Sequence, residues 1–211
     1  DYLYATRGNG TTTFSRYSIS GDRWNPLAPA PNTISFGADL APAGGYIYVL
    51  RGNNTQELYR YSISGNSWTT MAPILAQVDY GGALVYPGSG DFLYATRGAN
   101  TNTFYRYSIS GNSWTSLATA PNTIYYGADL VYPGTGDYLY ASRGNGTATF
   151  YRYSISANLW TTMADAPAGF SSGAALAATG AGDYLYAMPG GGWQTAFFRY
   201  SISVNAWITL S

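Results

Sequence analysis

The sequence predicts an all-β, five-bladed propeller with four-stranded blades, the first blade lacking its inner strand. Three observations carry this. The segment Arg-Tyr-Ser-Ile-Ser occurs five times, a tryptophan follows each copy at a fixed distance, and the residues between fall into strand-length runs closed by turn signals. No window sustains a helical 3.6-residue period, and Gly, Pro and β-branched residues are dense throughout.

The repeats begin at Arg16, Arg60, Arg106, Arg152 and Arg199, spaced by 44, 46, 46 and 47 residues. Between 91–110 and 137–156, 15 of 20 positions are identical. A period of about 40–50 residues is that of a propeller blade. The 211 residues divide into repeats at about 1–45, 46–90, 91–136, 137–182 and 183–211, one domain in all.

Each repeat reads as four strands, here a to d. Around residue 140, strand a is the run 127–132, closed by Pro133-Gly134. Strand b is Tyr138-Leu139-Tyr140-Ala141-Ser142, halted at Arg143-Gly144. In strand c, Tyr151, Tyr153 and Ile155 alternate with Phe150, Arg152 and Ser154, the two-residue period of a strand that buries both faces differently. Strand d opens at Trp160 and runs out at Ala166-Pro167. Five copies are expected to close into a ring, with one aromatic pair per repeat filling the space between neighbouring blades: Tyr17/Trp24, Tyr61/Trp68, Tyr107/Trp114, Tyr153/Trp160 and Tyr200/Trp207.

This pattern of a strand-c tyrosine and a tryptophan seven residues later, opening strand d, resembles the kelch repeat family. The likeness covers the whole chain. The paired glycines that the family carries after strand b are half present, as Arg-Gly at 7–8, 51–52, 97–98 and 143–144, and the family's Asp-Pro after the strand-c tyrosine is Ser-Ile here. The resemblance implies a propeller architecture and leaves activity open, because kelch propellers serve many roles.

The repeat breaks in two places. Strand a occurs four times, near 36–41, 80–86, 126–132 and 172–178, whereas b, c and d occur five times. The first blade is therefore expected to lack its innermost strand, leaving an unpaired edge that invites strand addition. Three explanations stand side by side: a fragment of a longer chain, a strand donated by a neighbour, or a three-stranded blade. The absence of an initiating methionine and of a signal peptide suits a processed or excised product. In the fifth repeat, Met188-Pro189 and Gly190-Gly191-Gly192 replace the usual strand end, and Trp193 stands in a b–c loop that elsewhere is Asn/Thr-rich. Trp193 is a candidate contact residue or a plug over the blade edge.

Composition narrows the function classes. Charged residues are 9% of the chain, against about 25% in a typical soluble domain. All ten basic residues are arginine and ten acidic residues balance them, so no net charge steers the chain to nucleic acid or an anionic membrane. No run approaches the roughly 18 apolar residues of a membrane-spanning helix. Without histidine or cysteine, and with Glu57 as the one glutamate, the side chains for Ser-His-Asp or Cys-His catalysis and for ordinary zinc sites are missing. Asp39 and Asp129 occupy one strand-a position, but Ala83 and Ala175 fill it in the other blades, which does not make a repeated carboxylate site. No catalytic residue, metal ligand or cofactor is therefore expected.

The remaining candidates lie on the end of the propeller that carries the b–c and d–a loops, a common binding face in kelch-like relatives. Arg7, Arg51, Arg97 and Arg143 open the b–c loops and are placed either to ring a binding mouth or to tie neighbouring loops through their planar guanidiniums. Asn9, Asn53 and Asn145 head Asn-x-Ser/Thr triplets, candidate glycosylation sites on an exported chain. The lysine-free surface, rich in Tyr, Thr, Ser and Asn, suggests an extracellular or cell-surface setting. Two functions of different class follow: a structural subunit that assembles with itself into a surface layer or filament, and a lectin-like or protein-binding module whose partner is a surface protein or glycan.

Overall fold

A computed structural model describes residues 1–180, 182–192 and 195–210, and all regular structure among them is β-strand. Five antiparallel sheets follow one another along the chain. The first contains β1 (Tyr2–Thr6), β2 (Phe14–Ser18) and β3 (Arg23–Pro26). The second contains β4 (Asp39–Ala43), β5 (Tyr46–Leu50), β6 (Leu58–Ser62) and β7 (Ser67–Thr70). The third contains β8 (Ala83–Val85), β9 (Phe92–Thr96), β10 (Phe104–Ser108) and β11 (Ser113–Ser116). The fourth contains β12 (Leu130–Val131), β13 (Tyr138–Ser142), β14 (Phe150–Ser154) and β15 (Leu159–Thr162). The fifth contains β16 (Ala175–Ala178), β17 (Tyr184–Met188), β18 (Phe197–Ser201) and β19 (Ala206–Leu210). Strands pair in sequence order, and among the described residues the first blade has three strands, with one edge of β1 unpaired. Strand a is shorter than its apolar run, down to the two residues of β12.

The seven-residue spacing has a direct geometric cause. Strands c and d form a hairpin whose register places each tyrosine opposite its tryptophan: Tyr17↔Trp24, Tyr61↔Trp68, Tyr107↔Trp114, Tyr153↔Trp160 and Tyr200↔Trp207. The turn needs a residue with positive φ, supplied by Asp22, Asn66, Asn112, Asn158 and Asn205. Asx side chains tolerate that conformation best after glycine.

The two faces of each blade then pack differently. Between the second and third blades, Tyr48, Leu50 and Leu58 of one meet Leu93, Ala95, Tyr105, Tyr107 and Trp114 of the other in one buried cluster. Equivalent clusters join the first blade to the second, the third to the fourth, and the fourth to the fifth. Edge-to-face rings recur, as in Phe104–Tyr153 at 4.7 Å and Phe150–Tyr200 at 5.0 Å between centroids. Each seam is also clasped by hydrogen bonds. Trp114 Nε1 donates to the Ala72 carbonyl at 3.1 Å, and Asn112 Oδ1 accepts from both the Ala72 amide and the Tyr107 hydroxyl. Asn66/Trp68 clasp Ala28, Asn158/Trp160 clasp Ala118, and Asn205/Trp207 clasp Ala164 in the same way.

One expectation is corrected. Among the described residues no ring contact, hydrogen bond or buried cluster joins the fifth blade to the first, so the five blades form an arc with an open seam. Trp24 consequently does not fill an inter-blade space: it is 57% exposed, against 9% for Trp114 and 8% for Trp160. Tyr17 is only half-buried, whereas Tyr61, Tyr107, Tyr153 and Tyr200 are buried. The cause is that no described residue packs on the first blade at the face where every later blade meets its predecessor.

Candidate functional site

The inner strands β4, β8, β12 and β16 line a central cavity of about 670 Å³, whose wall includes Asp39, Leu84, Asp129 and Leu176. Beside it, on the d–a loops, lies a mouth of about 430 Å³ lined in part by Phe36, Tyr80, Tyr126 and Ser172. Phe36 and Tyr80 are exposed and stacked, 4.6 Å between centroids, and Tyr80 meets Tyr125 edge-on. These aromatics escape sequence reasoning because the d–a position is not repeat-locked: it is Phe36, Tyr80, Tyr126 and Ser172 in successive blades.

Asp39 and Asp129 do approach the axis, and alternation explains their pattern. Each carboxylate accepts the amide of its own following residue, Leu40 or Leu130, and with its other oxygen the amide of Leu84 or Leu176 in the next blade, all at 2.7 Å. Asp in the second and fourth blades thus bridges to the third and fifth, where Ala83 and Ala175 stand at the equivalent position. Enclosure by protein pushes both carboxyl pKa values up, and the nearby Asp129 charge adds to the effect on Asp39; the backbone donors oppose it. The values rise to about 7 for Asp39 and about 6 for Asp129.

A pH dependence follows. In the unfolded chain these groups titrate near 3.9, so between about pH 4 and 7 the folded state binds more protons. Stability is therefore expected to fall as pH rises through that window and to level off above it. The half-buried Asp91, Asp137 and Asp183, whose pKa values are lowered first by serine hydroxyl donors, act in the opposite sense at more acidic pH. Melting temperatures of the parent should drop between pH 5 and 8, and a D39N/D129N double variant should give a flatter profile. A parent Tm that rises with pH across this range would contradict the assignment.

Three of the loop arginines are engaged with backbone carbonyls. Arg51 Nε donates to the Thr33 carbonyl at 2.8 Å and its guanidinium pairs with Glu57; Arg97 Nε donates to Gln77 and Arg143 Nε to Thr123. Each ties down the loop that leads into strand a of its own blade. Arg7 is exposed. The strand-c arginines cap aromatic rings at the start of strand b, as Arg106 does over Phe92 at 4.2 Å. Asn9, Asn53 and Asn145 are exposed at positive φ, a backbone reason for asparagine at these turns. Trp193 lies outside the described residues. Among the described residues no three His, Cys, Asp or Glu side chains gather as a metal-binding group.

No family model matches the chain, and no curated protein matches it. Among solved structures it is similar to the one titled "Structure of YjhT", with a TM-score of 0.70 at 15% sequence identity, covering 88% of this chain and 67% of that one. The chain is a five-bladed β-propeller. At this identity the likeness speaks for the fold alone.

Proposed function

We propose that this chain is a non-catalytic, extracellular propeller of kelch-like repeats that serves as an assembling structural subunit of a cell surface or filament. The observation that carries the reading is the placement of exposed apolar residues. Leu3 and Trp24 on the first blade, and Met188 and Phe197 on the fifth, sit at the two ends of the arc, and β1 of the first blade has an edge unpaired among the described residues. Large apolar surfaces bordered by a free strand edge mark association sites. The non-catalytic reading is supported by the absence of His and Cys from the sequence and by the use of the axial carboxylates as backbone acceptors. The extracellular reading rests on composition and on the three Asn-x-Ser/Thr triplets.

Light scattering over a range of concentrations, with electron microscopy of the same samples, tests the assembly reading. The expected result is a molar mass that rises with concentration, with ordered polymers in the images. A constant monomer mass would overturn it. The binding reading would then lead, favoured by the exposed Phe36–Tyr80 stack at the channel mouth, which offers flat apolar faces to a glycan or a protein loop.

A further inference from the structure

We propose that the open seam between the fifth and first blades is a docking site for one further four-stranded blade of this same repeat, followed by the strand that completes the first blade. The proposal rests on the reading of the uncovered faces as association surfaces and names what they take.

The four seams that are present define the partner. In each, the earlier blade offers the third residue of strand b and the first of strand c, as Tyr94 and Phe104 do; the later blade offers the second residue of strand b and the Tyr/Trp pair, as Leu139, Tyr153 and Trp160 do. On the fifth blade the earlier-type half stands uncovered. Phe197 is 41% exposed where Phe14, Phe104 and Phe150 are at most 1%, and Tyr186 stacks on it at 5.6 Å beside an open groove of about 220 Å³ that also includes Leu176 and Met188. On the first blade the later-type half stands uncovered. Leu3 is 57% exposed where Ile47, Leu93, Leu139 and Leu185 are at most 3%.

The backbone repeats the message. Gly37, Gly81 and Gly127 each lie against the main chain of the following blade, whereas Gly173, at the same position in the fifth blade, has nothing within 4 Å. Gly52, Gly98, Gly144 and Gly190 abut the segment that enters their own strand a, and Gly8 has nothing near it. A single blade carries both half-interfaces, one on each face, so one unit covers both ends of the arc. A whole second copy, seated on the fifth blade by its own first blade, would leave the first blade of the original chain and the fifth blade of the partner uncovered.

The occupant can be supplied in the chain itself. A copy of residues 117–178 contains one complete blade followed by a strand a; it is appended after Ser211. In a second variant a copy of 117–182 precedes Asp1, so that either order presents the same strands if one fusion misfolds. The readout is the melting temperature of W24A and F197A in parent and extended chains. In the parent each is expected to lower Tm by no more than about 3 °C, and in the extended chains by roughly 6–15 °C, as for a buried large-to-small change in a domain of this size. Equal, small losses in the parent and in both extended chains would overturn the proposal. Molar mass is read separately. If the extended chains bury Trp24 and Phe197 yet assemble as the parent does, the docking site stands and assembly uses another surface. If the parent never assembles, the functional reading fails while the substitutions still decide the seam.

Discussion

Replacing Trp114 with alanine is expected to cost about 3–5 kcal/mol of folding free energy, and replacing Trp24, its counterpart in the first blade, less than about 1 kcal/mol. Trp114 is buried between the second and third blades, packs against Tyr105 and Tyr107, and donates its indole N–H across the seam to Ala72. Its loss leaves a cavity and an unpaired carbonyl. Trp24 keeps the intra-blade contact with Tyr17, 5.3 Å between centroids, but among the described residues no other blade packs on it. Urea unfolding of the two variants measures both values. Equal costs would mean that the seam is closed or that these tryptophans do not bear on blade packing.

A second pair separates the same alternatives through the backbone. Gly127→Ala is expected to destabilise by at least about 3 kcal/mol, combining the cost of a side chain at positive φ with forced separation of two blades. Gly127 has φ +76° and an added Cβ would stand 2.2 Å from the Ser171 carbonyl oxygen, where neither partner is a flexible side chain. Gly173 has φ +81° and open space around it, so Gly173→Ala should incur only the conformational term, about 1–2 kcal/mol. Thermal unfolding of the two variants checks this. A Gly173→Ala loss as large as that of Gly127→Ala would place a blade against it.

Much of the fold was legible in the residues. Strand b at 138–142 is as read, the two faces of strand c follow the alternation of Tyr151/Tyr153 with Phe150/Arg152, and the missing strand of the first blade follows from counting four strand-a runs against five of the others. The closed ring was not legible, because sequence period fixes the content of a blade but not the number of blades that completes a turn. Asn112 and its counterparts were also missed. Their side chains join a local turn to an alanine about 40 positions earlier, a pairing that no short motif displays. The sequence left the arginines of the b–c loops open between a ring of cations and ties to neighbouring loops, because the partners of Arg51, Arg97 and Arg143 include carbonyl oxygens, which every residue has. At the mouth, Phe36 and Tyr80 are brought together from different blades, 44 residues apart, and their position varies as Phe, Tyr, Tyr and Ser between blades.

The open arc is tested most directly by distances between blades in solution. The sequence has no cysteine, so pairs of spin labels can be placed on engineered cysteines without background. Ser20, Ser64, Ser110, Ser156 and Ser203 are exposed and occupy the same place in the c–d turn of successive blades. Pulsed electron resonance on the 20/64, 64/110, 110/156 and 156/203 pairs should give one common neighbour distance, and the 203/20 pair, in dilute monomeric protein, a clearly longer one. A 203/20 distance equal to the other four would contradict the open seam and show a ring closed by five blades.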